Sequence, residues 1–288
     1  MSGADPMADI FIHQIFYDED SRAKLLPGFL PLDNTRNERP DWFEFPLILD
    51  FLRHNTLQDD AWYGFLSPKF KHKTGMAANA VIQKIQTQGQ AADVLVLTVA
   101  WDQVAYYLNP WEQGEVMHRG ILDLSQRFLD HAAYPVDLKT LVCDSFSTQF
   151  ANFVVAKKNY WLKWQVLTEK FWSYVEDGPQ GAAGFKEVTH YYGKKTHYPM
   201  KTFVQERFAS LILATGDFRV IKSDPSDVRT PNSALFNRSL ETRRLLQTCD
   251  LMKTQYRRTQ DPAFLEMYWK VRGCIEYKAP NLPRLPSP

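Results

Sequence analysis

Residues 93–100 read Asp-Val-Leu-Val-Leu-Thr-Val-Ala. A nearly continuous apolar run of strand length is typical of a central parallel strand, because such strands are buried on both faces of the sheet. Parallel strands need long crossover connections, usually helices, which cover those faces. The stretch therefore predicts an α/β protein.

Strands and helices alternate along the chain on either side of this stretch. Apolar patterning predicts further strands at 9–17, 61–66, 138–143, 150–156 and 218–221. Helical spacing predicts helices at 41–54, 77–88, 102–131 (interrupted near Asn109-Pro110 and Gly114), 160–176 and 199–215. We expect a mixed, mainly parallel sheet flanked by helices, whose ligands bind where the strands end.

The predicted domain organisation follows from the last strand. Residues 1–232 are expected to form the sheet-containing domain. Residues 233–288 are expected to form a helical extension that packs on it and ends in a frayed, Pro-rich tail.

The composition excludes two classes of protein. Of 288 residues, 44% are hydrophobic and 14% aromatic, which is typical of a folded rather than a disordered chain. The 34 Lys and Arg residues balance 33 Asp and Glu, whereas nucleic-acid-binding proteins usually carry a clustered basic excess. We therefore expect no nucleic-acid partner. Nothing in the sequence indicates an oligomeric state.

The cysteines and the apolar runs bear on the compartment. Cys143, Cys249 and Cys274 stand far apart, without zinc-ligand spacing, and are expected to be free thiols in a reducing compartment. Residues 1–9 lack the apolar core of a signal peptide, and no apolar run reaches the roughly 18 residues of a membrane span. We expect a cytoplasmic protein.

Common catalytic signatures are missing from the sequence. It contains no GxGxxG after the first strand, no GxxxxGK[ST], no GxSxG and no HExxH. Dinucleotide oxidoreductases, P-loop NTPases, α/β-hydrolases and zincins therefore lose their main support.

Two polar clusters accompany the first strands. His13 lies in strand 9–17 and is a candidate contact for a nucleotide base; the alternative is a buried imidazole satisfied by the backbone. Lys69, Lys71, His72 and Lys73 follow strand 61–66 and precede a helix, a placement that suits a diphosphate. The alternative is a solvated basic loop.

Two aspartates follow later strands. Asp102 comes directly after strand 93–100, and Asp144 comes after strand 138–143. Each is a candidate ligand for a divalent cation or a ribose hydroxyl. Neither belongs to an Asp-x-Asp pair, so helix capping for Asp102 and a turn for Asp144 are the simpler explanations, and no metal site is predicted.

A further cluster lies on the predicted helix 199–215. Lys201, Gln205 and Glu206 share one side of a helix because residues four and five apart lie close together. A carboxylate placed in a cleft can act as general base toward a hydroxyl group. The alternative is a solvent-facing pair of Glu206 and Arg207.

The order of these pieces resembles bacterial glycosyltransferases of capsule and lipopolysaccharide synthesis that carry a GT-A-like domain. The matching segments are IFIHQIFY at 10–17, DWFE at 41–44, AWYGFLSPKFKHKTG at 61–75, NFVVAK at 152–157 and TFVQERF at 202–208. The likeness spans about residues 9 to 221.

This resemblance implies a GT-A-like sheet that binds a nucleotide sugar at its strand ends. It places Asn152 at the donor or acceptor pocket and makes Glu206 the candidate base, with Asp144 as a second candidate catalytic carboxylate. The diphosphate would be neutralised by Lys69, Lys73, Lys201 and Arg207, or by a metal on Asp102 or Asp144 alone. One base and direct displacement would invert the anomeric centre.

Two other functions stay open on the sequence. The chain could be a non-catalytic protein that binds glycans or partners through its aromatic residues, or a nucleotidyltransferase, which would need an acidic pair for two metals. The expected acceptor of the transferase is a glycan or a lipid-linked glycan. Arg243, Arg244, Lys253, Arg257 and Arg258 suggest a peripheral contact with anionic lipid; a solvated helix face is the alternative.

Overall fold

The computed structural model describes residues 8–178, 180–191, 194–223, 237 and 239–277. This part of the chain contains a six-stranded sheet and a two-stranded antiparallel ribbon. The strands are β1 (Ile10–Phe16), β2 (Leu30–Asp33), β3 (Trp62–Leu66), β4 (Val94–Val96), β5 (Val154–Lys157), the ribbon strands β6 (Val188–Tyr191) and β7 (Lys194–Pro199), and β8 (Val220–Lys222).

The order of strands across the sheet is β2-β1-β3-β5-β4-β8. All neighbours are parallel except β5, which runs antiparallel to both β3 and β4. The sheet is therefore mixed and mainly parallel, as predicted. From β1 the chain places β2 on one side and β3 on the other, and such a switch point is where open α/β sheets bind ligands.

Helices connect and flank these strands. They are α1 (Glu19–Arg22), α2 (Phe45–His54), α3 (Phe70–Thr74), α4 (Ala78–Gln88), α5 (Trp101–Tyr106), α6 (Pro110–Met117), α7 (Ile121–His131), α8 (Lys158–Glu176), α9 (Met200–Gln205), α10 (Phe208–Thr215), α11 (Leu240–Thr259) and α12 (Pro262–Gly273). Short 3₁₀ segments cover Pro40–Trp42, Gly89–Ala91 and Gln180–Lys186.

The core has one layer on each face of the sheet, and β4 shows why its sequence is continuously apolar. Val94 and Val96 belong to the layer packed against α2, α7, α8 and α10. Leu95 and Leu97 belong to the opposite layer, packed against α4. All four side chains are fully buried, which confirms that this strand is covered on both faces.

Three sequence predictions are corrected in detail. Residues 138–143 form a turn and an unpaired segment instead of a strand. The Asn109 side chain holds this segment by donating to the carbonyls of Leu138 and Leu141 at 2.9 and 2.7 Å. The predicted helix 102–131 is interrupted before Asn109 and again after Met117, not at Gly114.

Gly114 lies inside α6 for a steric reason. A Cβ atom there would lie 2.7 Å from the Arg207 guanidinium, closer than real Cβ contacts.

The predicted helix 199–215 is two helices, α9 and α10, and the break falls at Glu206 and Arg207.

The C-terminal helices pack against the end of α5. α11 and α12 form a hairpin, and α11 lies against α5 around a third apolar cluster that includes Ala105, Leu246 and Tyr268. Lys253 is fully buried and donates to the carbonyls of Val104 and Tyr107, at the end of α5. The predicted boundary at 232/233 and the Pro-rich tail lie outside the described residues.

Candidate active site

Polar side chains from four strands meet at the carboxyl edge of the sheet. Tyr17 follows β1, Asn34 follows β2, and Lys69 and Lys73 belong to the loop and helix after β3. Asn152 precedes β5, and because β5 runs antiparallel its beginning lies at the same edge. This edge includes the switch point between β1 and β3.

Glu44 lies at this edge between the 3₁₀ segment Pro40–Trp42 and α2. Burial raises the pKa of its carboxyl, while Tyr17 and the nearby ammonium groups of Lys73 and Lys69 act in the opposite direction. Burial and the Glu44 carboxylate also raise the pKa of the Tyr17 phenol. Glu44 and Tyr17 therefore form a polar pair beside two cations.

Glu206 lies opposite, in the break between α9 and α10. Burial raises the pKa of its carboxyl to about 7; Lys73 and Arg207 lower it, and Glu44 raises it. The side chain is partly exposed, so solvent reaches it at this edge of the sheet. A carboxyl group with a pKa near neutrality is suited to exchanging protons at physiological pH.

The backbone at this edge is strained at three positions. Three residues have positive φ angles, which residues other than glycine disfavour: Phe43 (φ 53°), Ala100 (φ 54°) and Asn152 (φ 51°). Phe43 immediately precedes Glu44, and Ala100 ends the loop after β4. Such strain clusters at functional sites, where the surrounding structure maintains it.

Several buried polar atoms at this edge have no hydrogen-bond partner among the residues that the structure describes. They are Tyr17 Oη, Asn34 Nδ2 and Asn152 Oδ1. Tyr17 lies beside Glu44 and Asn34 but makes no well-directed hydrogen bond to either. Because buried polar groups are normally paired, these atoms are candidates to bind a ligand.

His13 lies away from this edge, in the middle of β1. Its ring is buried between Phe51 and Phe65, with centroids 4.8 and 5.5 Å away. Burial lowers the pKa of the imidazole. The ring packs in the core between α2 and β3, but among the described residues its Nδ1 has no hydrogen-bond partner.

Lys201 and Arg207 are both buried and already engaged by protein groups. The Lys201 ammonium contacts Asp41 and lies 3.5 Å from Glu176. The Arg207 guanidinium donates to the carbonyls of Pro110 and Phe203 and to the Gln113 side chain. Both cations are therefore occupied by protein groups, although Arg207 directly follows Glu206 and Lys201 belongs to α9, which ends directly before it.

Asp144 lies in a buried network under α11. Burial favours the neutral form, but Arg257 and Ser147 outweigh it and lower the pKa of the carboxyl. Arg257 donates to Asp144 at 2.5 Å and Ser147 donates at 2.8 Å. Arg257 also reaches the carbonyls of Leu213 and Ala214 at the end of α10, so Asp144 connects α10, α11 and its own loop.

Asp102 lies in the first turn of α5, after β4. Its carboxylate accepts a hydrogen bond from the backbone N–H of Gln103 at 2.9 Å, and Ala100, not Asp102, is the N-cap. Among the described residues, no group of three His, Cys, Asp or Glu side chains could hold a metal ion.

Sequence reasoning missed two residues of this site. Neither Glu44, in the DWFE segment, nor Tyr17, at the end of predicted strand 9–17, stands out as a site residue in the sequence. A usable signal existed for both: Tyr17 directly follows a buried strand, and Glu44 directly precedes an amphipathic helix. Their proximity depends on the fold and is not visible in the sequence.

None of the helices in the described ranges is long and apolar enough to span a bilayer. No family model, curated protein or solved structure matches this chain.

Proposed function

We propose that this chain is a glycosyltransferase with a GT-A-like domain, which uses a nucleoside diphosphate sugar as donor and a glycan or lipid-linked glycan as acceptor. The observation that carries the proposal is Glu206, a partly exposed carboxyl group with a pKa of about 7 that lies near Lys73 and Glu44. These groups lie at the carboxyl edge of a mainly parallel sheet, beside its switch point.

The proposed reaction is a displacement at the anomeric carbon of the donor. An acceptor hydroxyl oxygen bonds to that carbon, the bond to the diphosphate oxygen breaks, and the hydroxyl proton passes to the Glu206 carboxylate. Lys73 and Lys69 stabilise the negative charge that develops on the departing diphosphate. A single base and direct attack invert the anomeric configuration.

A glycan-binding protein without catalytic activity receives less support. The aromatic residues that suggested it are mostly core: Trp161, Trp164 and Phe171 are buried under the sheet. Nucleotide transfer is distinguished from sugar transfer by its product, because it releases pyrophosphate and not a nucleoside diphosphate.

The test is a turnover assay of the purified chain with a panel of nucleoside diphosphate sugars, with and without manganese and with simple glycan acceptors. The proposal expects release of nucleoside diphosphate from at least one donor. No release from any donor would contradict it. So would release of pyrophosphate in a parallel assay that supplies nucleoside triphosphates and sugar 1-phosphates.

Replacing Lys73 with Met should weaken donor binding. Lys73 is half-buried over the Phe153 ring and lies near both Glu44 and Glu206, so the variant removes a cation from the candidate site itself. We expect KM for the donor to rise about tenfold, equivalent to roughly 1.4 kcal/mol, with a smaller change in kcat.

Lys163→Met provides the matched control for this measurement. Lys163 also lies over an aromatic ring, that of Phe218 at 4.8 Å, but Phe218 precedes β8 and is therefore at the opposite edge of the sheet. Equal effects of the two substitutions on KM would show that Lys73 does not contact the donor.

A further inference from the structure

Two cations and two indole rings form a stack behind the candidate site. The Arg39 guanidinium lies 4.8 Å from the Trp172 ring centre, and Trp172 stacks on Trp42 with centroids 4.7 Å apart. The Lys201 ammonium lies 4.1 Å from the centre of the Trp42 ring. We call Arg39, Trp172, Trp42 and Lys201 the clamp.

Two carboxylates tie the cations of the clamp together. Asp41 accepts from Arg39 at 3.1 Å and also contacts Lys201. Glu176 accepts from the Trp42 indole N–H at 3.0 Å and lies 3.1 Å from Arg39. Lys201 is only 2% exposed, so its charge is compensated inside the protein and not by water.

The clamp joins the two chain segments that carry the candidate carboxylates. Trp42 is followed by the strained Phe43 and then by Glu44, and Lys201 belongs to α9, which ends directly before Glu206. Gln205 also donates to the Trp42 carbonyl at 3.4 Å. The two segments are thus fixed to each other, and to the end of α8, immediately behind the site.

We propose that the clamp is a positioning device in which Lys201, through Trp42 and Asp41, fixes the segment that ends at Glu206 against the segment that carries Glu44. The clamp thereby holds Glu206 where the proposed reaction needs its base. This inference rests on the proposed function and extends it. Lys201 is a positioning residue here, because its ammonium contacts Asp41, Glu176 and the Trp42 ring. A small displacement of a catalytic group is enough to lower a rate by about 100-fold.

The charges that surround Glu206 indicate what loosening the clamp would do. Lys73 on α3, the neighbouring Arg207 and Glu44 all act on its carboxyl, but burial is the largest influence. If Glu44 and Glu206 separate, water enters and the pKa of Glu206 falls toward its ordinary value of 4.5. A merely structural role for Lys201 would leave this titration unchanged.

The test compares Lys201→Met with Lys158→Met. Lys158 makes an ion pair with Asp59 at 2.7 Å, away from the clamp, and serves as the matched control. For Lys201→Met we expect kcat to fall about 10- to 100-fold with little change in donor KM, and the acid limb of the pH–kcat profile to move below pH 6. Lys201→Arg, which keeps a cation at Trp42, should restore part of kcat.

A second readout does not depend on activity. The free energy of unfolding is measured from pH 4 to 8 for wild type and Glu206→Gln. The difference between them reports the titration of Glu206. The same comparison is then made in the Lys201→Met background. If that variant does not fold, Arg39→Ala loosens the same clamp from its exposed side. If no donor is turned over, the proposed function fails while this titration still tests the clamp.

An unshifted Glu206 titration and an unchanged kcat in the folded clamp variants would overturn the proposal. Equal losses in Lys201→Met and Lys158→Met would do the same.

Discussion

Glu206→Gln should abolish sugar transfer almost completely. The amide keeps the shape of the carboxylate but cannot accept the proton of the acceptor hydroxyl, so we expect kcat to fall by a factor of roughly 10² to 10⁴ with little change in donor KM. The measurement is the initial rate of nucleoside diphosphate release with the best donor. In the wild type, kcat should rise with pH through about 7, because only the ionised Glu206 is a base.

The same substitution should make the protein more stable at alkaline pH. The folded-state pKa of Glu206 is raised from 4.5 to about 7, so the folded protein is favoured at low pH and loses stability as the pH rises through about 7. Gln has no charge to bury. We expect Glu206→Gln to be about 2 kcal/mol more stable than wild type at pH 8, a figure reduced for its remaining solvent exposure, and equal to it at pH 4.

Glu169→Gln is the control for both measurements. Glu169 pairs with Arg53 at 3.0 Å on the partly exposed side of α8 and is not part of the candidate site. It should leave kcat and the pH dependence of stability unchanged. If Glu206→Gln retained full activity, Glu206 would not be the general base.

Asp144→Asn should have the opposite effect to Glu206→Gln. We expect a large loss of folding stability, while the molecules that remain folded keep their kcat. Removing the charge leaves the mostly buried Arg257 without its carboxylate, and breaking a buried ion pair from one side is strongly destabilising. We expect a loss of about 3 kcal/mol at pH 7 and a melting temperature roughly 8 °C lower.

The pH dependence of this loss has a defined sign. The folded-state pKa of Asp144 is lowered from 3.8, so its contribution is complete above that value and disappears as the pH falls. The stability difference between wild type and Asp144→Asn should therefore shrink below pH 4. Asp137→Asn, in an exposed turn, should cost less than about 0.5 kcal/mol. If Asp144→Asn keeps its stability and loses kcat, the roles assigned to the two carboxylates are wrong.

The main features of the fold follow from local sequence patterns. The apolar run at 93–100 predicts a strand buried on both faces, and Val94 to Leu97 divide between two core layers as expected. The strand at 138–143 was mispredicted because its apolar residues are buried by loop packing, with the Asn109 side chain supplying hydrogen bonds that a neighbouring strand would provide. Local patterning does not distinguish the two ways of burying a short apolar segment.

The candidate site was predictable only where it depends on strand ends. Lys69, Lys73 and Asn152 lie at the carboxyl edge because each adjoins a strand, and Glu206 lies there because the helix predicted over 199–215 breaks beside it. Lys201 could not be placed from sequence, because its partners Asp41 and Glu176 are distant in the chain. A charged residue on a predicted helix is indistinguishable from a surface residue until its long-range partners are known.

Hydrogen exchange of the wild-type chain, measured with and without saturating nucleoside diphosphate, tests whether this ligand binds at the carboxyl edge of the sheet. If the ligand binds at the carboxyl edge, exchange should slow in residues 67–76 after β3 and in residues 43–48 around Glu44. Protection confined to α11 and α12, or no protection by any nucleoside diphosphate, would contradict binding of a nucleoside diphosphate at this edge.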